Sequence, residues 1–205
     1  MDIETFKRAV KESDEIEDSG ITIGGGEPTL HPQFWEFMGI ALSAWCLDDL
    51  PLFIATNGSN KDISMRLAHM AKRGLIHAAL SVDDFHLGID ESVLKAFGYY
   101  RSRKQPSWPY VGQYNTTPTD LREIRNVSSN VANIGRAVEN GLGVSDRCVC
   151  ETPFITPTGE IYMCGCQEFL LGDIFNGYAF PEGYHDLDER CSKEYFQMLE
   201  EEEAI

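Results

Sequence analysis

The stretch Gly20-Ile21-Thr22-Ile23-Gly24-Gly25-Gly26-Glu27-Pro28-Thr29-Leu30-His31 constrains this chain more than any other. Its first half is a β-branched run of the kind that forms a short buried strand, and it breaks off in three glycines, a carboxylate and a proline. Such a strand end leaves a bare backbone ledge. Glycines carry no Cβ, so a ligand can reach the main-chain N–H and C=O groups, and positive φ costs little there. Glu27 then stands just past the carboxyl end of the strand, where α/β folds place their ligands. The same residues also make an ordinary glycine-rich strand-to-helix turn, and a short glycine motif alone does not separate the two readings.

The segments around this stretch alternate between helical and extended patterns. Residues 2–18 carry Ile3, Phe6, Val10 and Ile16 among charges, an amphipathic helix with Asp2 as cap. Pro32 to Ala44 reads as the next helix, with Phe34, Phe37, Met38, Ala41 and Leu42 on one side and Pro32 near its first turn. Pro51 to Gly58 is a second buried strand, ending in Thr56-Asn57-Gly58, a sequence that also makes a good turn. Asp62 to Arg73 is a helix stopped by Gly74. Ile76 to His86 is a third strand, apolar until Ser81 and Asp83. Residues two apart on a strand share a face, so this hydroxyl and carboxylate stand together, suited to ribose hydroxyls or a substrate. They also suit a plain cap on the loop and the next helix. His86 reads either as a surface hydrogen-bonder or as an acid or base.

Strand–helix units in succession predict a parallel sheet with helices on its faces. Beyond Phe97 the pattern weakens. Residues 99–120 hold Pro106, Pro109 and Pro118 among aromatics with no clear period, which fits a substrate-covering loop or a shortened end of the fold.

Four of the six cysteines cluster as Cys148-Val149-Cys150 and Cys164-Gly165-Cys166. Between them, residues 151–163 read as strand, turn at Pro157-Thr158-Gly159, and strand. A hairpin brings its ends together, so the two pairs meet across the ladder. Four converging thiolates suit Zn²⁺ or an iron–sulfur cluster, and buried or pairwise-oxidised thiols are the alternative. Cys46 stands alone and reads better as a small buried hydrophobe.

Composition narrows the classes. A chain of 205 residues with 42% hydrophobic and 11% aromatic residues is in the globular range. A formal charge of −16 with only 17 Lys and Arg argues against a nucleic-acid or membrane-surface partner. The acidic runs 12–18 and 200–203 read as solvated helix faces or tails, the second closing an acidic helix over 186–203. With no long apolar run and no basic-then-apolar start, the expected location is cytoplasmic, where clustered cysteines favour a metal over disulfides.

In order, Gly25-Gly26-Glu27-Pro28, Thr56-Asn57-Gly58, Ser81-Val82-Asp83-Asp84-Phe85-His86, Gly135-Arg136-Ala137 and the cysteine hairpin resemble the motifs of the radical S-adenosylmethionine (SAM) superfamily, with a SPASM- or twitch-like C-terminus. The resemblance implies an incomplete parallel (β/α) barrel, missing its first strand, over 1–143, and a small metal-binding hairpin extension over 144–205. It implies SAM binding at Gly25, Gly26, Glu27, Pro28, Thr56, Asn57, Ser81 and Asp83. At Cys148, Cys150, Cys164 and Cys166 it implies an iron–sulfur cluster, with Zn as the other candidate. In that family a CxxxCxxC motif before the first helix holds the [4Fe–4S] cluster that cleaves SAM to a 5′-deoxyadenosyl radical, and no CxxxCxxC occurs in these 205 residues. The expectation is therefore an N-terminally truncated member, inactive alone, whose intact form modifies a peptide, protein or small-molecule substrate. The alternative is a non-catalytic accessory module with a cysteine-bound metal.

Overall fold

A computed structural model describes residues 1–16, 20–45, 52–82, 88–98, 120–125, 141, 152–165, 167 and 169–180. The chain forms two compact units, one of residues 19–128 and one of residues 1–18 with 129–205. The expected boundary at 143/144 lies outside the described residues, as do Cys46, the loop 99–119, Arg136 and the helix expected over 186–203.

In the unit 19–128, β1 (Thr22–Ile23), β2 (Phe53–Thr56), β3 (His77–Ser81) and β4 (Arg122–Arg125) form a sheet in that order, with every pair parallel. A 3₁₀ turn (Pro28–Leu30) and the helix α2 (Phe34–Trp45) lie between β1 and β2, α3 (Lys61–Lys72) follows β2, and α4 (Glu91–Ala96) follows β3. The α/β alternation read from the sequence is present. β4 was not foreseen, because three of its four residues are charged and such residues are depleted in strands.

Period-two alternation divides the sheet's faces. On one face Ile54, Thr56, Ala78 and Leu80 are buried, along with Leu67, Ala68 and Ala71 of α3 and Val93 of α4. Phe34, Phe37, Met38 and Ala41 form the buried stripe of α2. On the other face Phe53, Ala55, His77, Ser81, Glu123 and Arg125 are half-buried. The Asn60 side chain caps α3 by accepting from the Ile63 N–H, and Gly74 follows its C-cap with φ +72°, the C′ role expected of it.

In the other unit, β5 (Phe154–Ile155), β6 (Glu160–Tyr162), β7 (Leu170–Asp173) and β8 (Gly177–Tyr178) make an antiparallel sheet in chain order. The predicted hairpin is present. Phe154 faces Tyr162 and Ile155 faces Ile161, and the turn closes where the Gly159 N–H donates to the Thr156 carbonyl. Helix α1 (Ile3–Ile16) belongs to this unit, and the Asp2 carboxylate caps it from 2.8 Å through the Thr5 N–H. Its Ala9 joins Ile161 and Ile174 in a small core, and the Tyr178 hydroxyl donates to Glu12. Among the described residues no helix is long and apolar enough to cross a membrane.

Candidate ligand site at the carboxyl end of the parallel sheet

Because all four strands run the same way, the segments that follow them share one edge of the sheet. Gly24-Gly25-Gly26-Glu27 follow β1, Asn57-Gly58 follow β2, and Ser81 and Arg125 end β3 and β4.

The three glycines are exposed. Gly25 has φ +123°, where an L side chain is strained. Gly24 and Gly26 have no such φ, and a Cβ on either would meet nothing within 4 Å among the described residues. Neither conformation nor crowding accounts for glycine at these two positions. What glycine provides there is an uncovered backbone facing open space.

Glu27 holds this ledge in place. Its Oε1 accepts from the Thr29 hydroxyl at 2.6 Å, the Thr29 N–H at 3.2 Å and the Thr56 hydroxyl at 2.9 Å, and its Oε2 accepts from the Asn57 N–H at 2.6 Å. Thr29 and Thr56 are each 1% exposed. One carboxylate thus ties the end of β1 to the end of β2 and neutralises donors that would otherwise be buried without partners. Pro28 opens the 3₁₀ turn, where its missing N–H costs nothing, and the Asn60 side-chain amide donates to the Thr29 carbonyl. The ends of β1 and β2 are a hydrogen-bonded frame around the ledge.

Gly58 closes the frame on its inner side. It has φ +76°, and a Cβ there would lie 3.0 Å from Leu80 Cδ1 and 3.1 Å from Ile89 Cγ2. Its N–H donates to the Thr56 hydroxyl, so Thr56 links Glu27 to the turn. Asn57 holds its own turn, accepting from the Ser59 N–H through Oδ1, and its amide nitrogen has no partner among the described residues.

Ser81 is half-buried with its hydroxyl unengaged among the described residues, and its Cα partner across the ladder is Arg125. The sequence reading missed Arg125. Its Nε donates to Glu123 Oε1 at 2.9 Å, and its guanidinium lies over the Phe53 ring at 4.5 Å. Glu123 Oε2 is 3.0 Å from His77 Nε2. Hydrogen bonding from His77, then from Arg125, holds the Glu123 carboxyl below the usual carboxylate range although burial opposes it. The available signal was the alternation Arg122-Glu123-Ile124-Arg125, which puts Glu123 and Arg125 on one face if it is a strand.

The predicted cofactor residues thus divide by role. Gly25, Gly26, Asn57 and Ser81 present unblocked backbone or side-chain groups, whereas Glu27 and Thr56 spend theirs on one another. Asp83 and His86 lie outside the described residues. At the cysteine hairpin, Cys164 is 2% exposed in the turn after β6, and its carbonyl accepts from the Gln167 N–H. Cys148, Cys150 and Cys166 lie outside the described residues, and among the described ones no group of three or more His, Cys, Asp or Glu side chains is placed to hold a metal ion.

An exposed main-chain edge with hydroxyl and amide groups at the neighbouring strand ends can take a zwitterionic ligand, with carbonyls accepting from an ammonium and donors meeting a carboxylate. No protein-family model matches this chain, and neither a curated protein nor a solved structure matches it.

Proposed function

We propose that this chain is a SAM-binding α/β protein of the radical SAM type, its parallel sheet an incomplete (β/α) barrel and its antiparallel sheet a twitch-like extension. The observation that carries the reading is the ledge. Gly24 and Gly26 are glycines that neither a positive φ nor crowding among the described residues requires, at the carboxyl edge of a parallel sheet, braced from behind by Glu27 and Thr56. The main chain of Gly24 to Gly26 would hold the ammonium end of SAM, Asn57 and Ser81 its other polar groups, and Arg125 its carboxylate. The chemistry that the cofactor supplies in that family is one-electron reductive cleavage followed by hydrogen abstraction from a substrate.

The 205 residues contain no CxxxCxxC, so the ligands of a reducing cluster have to come from elsewhere for that chemistry to run. A second reading keeps the ledge and omits the cleavage: the chain binds SAM or a related zwitterion and serves as an accessory module with a metal at Cys148, Cys150, Cys164 and Cys166. Anaerobic reconstitution with iron and sulfide, followed by measurement of iron, zinc and bound SAM, separates the readings. Iron with bound SAM supports the enzyme, and zinc with bound SAM supports the accessory module. A protein that binds no SAM under either condition overturns both.

A further inference from the structure

The open face of the parallel sheet carries a side-chain chain that the ledge does not use. His77 opens β3, Glu123 and Arg125 are two apart on β4, and Phe53 opens β2. All four are half-buried. His77 Nε2 meets one Glu123 oxygen at 3.0 Å and Arg125 Nε meets the other at 2.9 Å. The carboxylate is therefore held from both ends.

A guanidinium has three hydrogen-bonding edges, and attachment through Nε leaves the Nη1–Nη2 edge as a planar two-donor fork. Phe53 supports that plane from beneath, with the Arg125 Cζ 4.5 Å from the ring centroid, and His77 stands edge-on to the same ring at 4.8 Å. Neither terminal nitrogen of Arg125 has a partner among the described residues, and its side chain is 39% exposed. In a chain of net charge −16, an arginine whose terminal fork is left unpaired is a specific arrangement.

We propose that His77 and Glu123 are positioning residues for Arg125, clamping its Nε and laying it on Phe53 so that the Nη1–Nη2 fork is presented to a ligand carboxylate. This rests on the SAM-binding reading for the identity of the ligand, but not for the clamp. Without Glu123 the arginine keeps its charge and loses its orientation, and affinity then falls through the entropy of re-ordering a long side chain. His77 acts one step further back, by fixing the rotamer of Glu123. An ordinary surface ion pair between Arg125 and Glu123 would be indifferent to the loss of His77.

The full chain, labelled with ¹⁵N, reports the clamp directly through the Arg125 Nε–H resonance, assigned by its disappearance in Arg125→Lys. In the wild type this proton is expected to exchange slowly with solvent. Glu123→Ala is expected to speed that exchange about fivefold or more, and His77→Phe, which keeps the ring but not Nε2, to speed it by a smaller but measurable factor. Titration with SAM and with decarboxylated SAM supplies the ligand arm. Wild type is expected to prefer SAM about tenfold, and both variants are expected to lose most of that preference while still binding decarboxylated SAM. Unchanged Nε–H exchange in both variants overturns the clamp, whether or not SAM binds. A protected Nε–H that both variants release, in a protein that binds neither compound, keeps the clamp and overturns the SAM reading. A preference for SAM that survives Glu123→Ala overturns the positioning role.

Discussion

At the scale of single residues, the site depends on which polar groups are already satisfied. Glu27 stood out in the sequence as a carboxylate just past a glycine-rich strand end. Its actual partners were not legible, because they depend on the ends of β1 and β2 meeting. Replacing it with alanine strands the buried Thr29 and Thr56 hydroxyls, and Glu27→Ala is expected to lower stability by about 2–4 kcal/mol in urea unfolding. Ser64 is the opposite case. Its hydroxyl is fully buried and has no hydrogen-bond partner among the described residues, so Ser64→Ala is expected to be neutral or stabilising by about 1 kcal/mol in the same assay. A loss of more than about 1 kcal/mol there would contradict the reading of an unpartnered hydroxyl. Glu123 makes a pH prediction. Its folded-state pKa is depressed below the ordinary 4.5, so the stability it contributes is present above 4.5 and is lost as pH falls through the folded value. Glu123→Gln removes that part of the acid dependence, which unfolding midpoints between pH 5 and the acid limit of folding measure.

At the scale of elements, periodicity and capping located α1, α2, α3 and the three apolar strands, with ends shifted by one or two residues except in β3, which ends at Ser81 where the strand was expected to run to His86. The hairpin of β5 and β6 was legible from its turn residues, Pro157-Thr158-Gly159, between two short apolar runs. β4 was hidden because its edge position and charged side chains leave only Ile124 as an apolar marker, opposite Leu80. Its tertiary setting, not its propensity, makes it a strand. The turn after β2 is where an element boundary and the site coincide. Gly58→Ala puts a methyl group against Leu80 and Ile89 at positive φ, and a loss of about 1–3 kcal/mol is expected by thermal or urea unfolding. Since Gly58 also donates to Thr56, the same variant is expected to weaken ligand binding at the ledge.

At the scale of the whole molecule, the alternation of strands and helices made the α/β class readable, and the shared edge of the parallel strands explains why motifs far apart in sequence fall together. The grouping of α1 with the antiparallel sheet was not readable, because an amphipathic stripe states that a helix packs without stating on what. The central claim is that the ledge after β1 binds SAM through its uncovered backbone. Calorimetric titration with SAM tests it most directly, on the wild type and on Gly26→Val, whose Cβ would meet nothing within 4 Å among the described residues. Saturable one-site binding by the wild type that weakens about tenfold or more in Gly26→Val, at unchanged thermal stability, is the predicted result. Absence of binding in the wild type, or equal affinity in the two proteins, would contradict it.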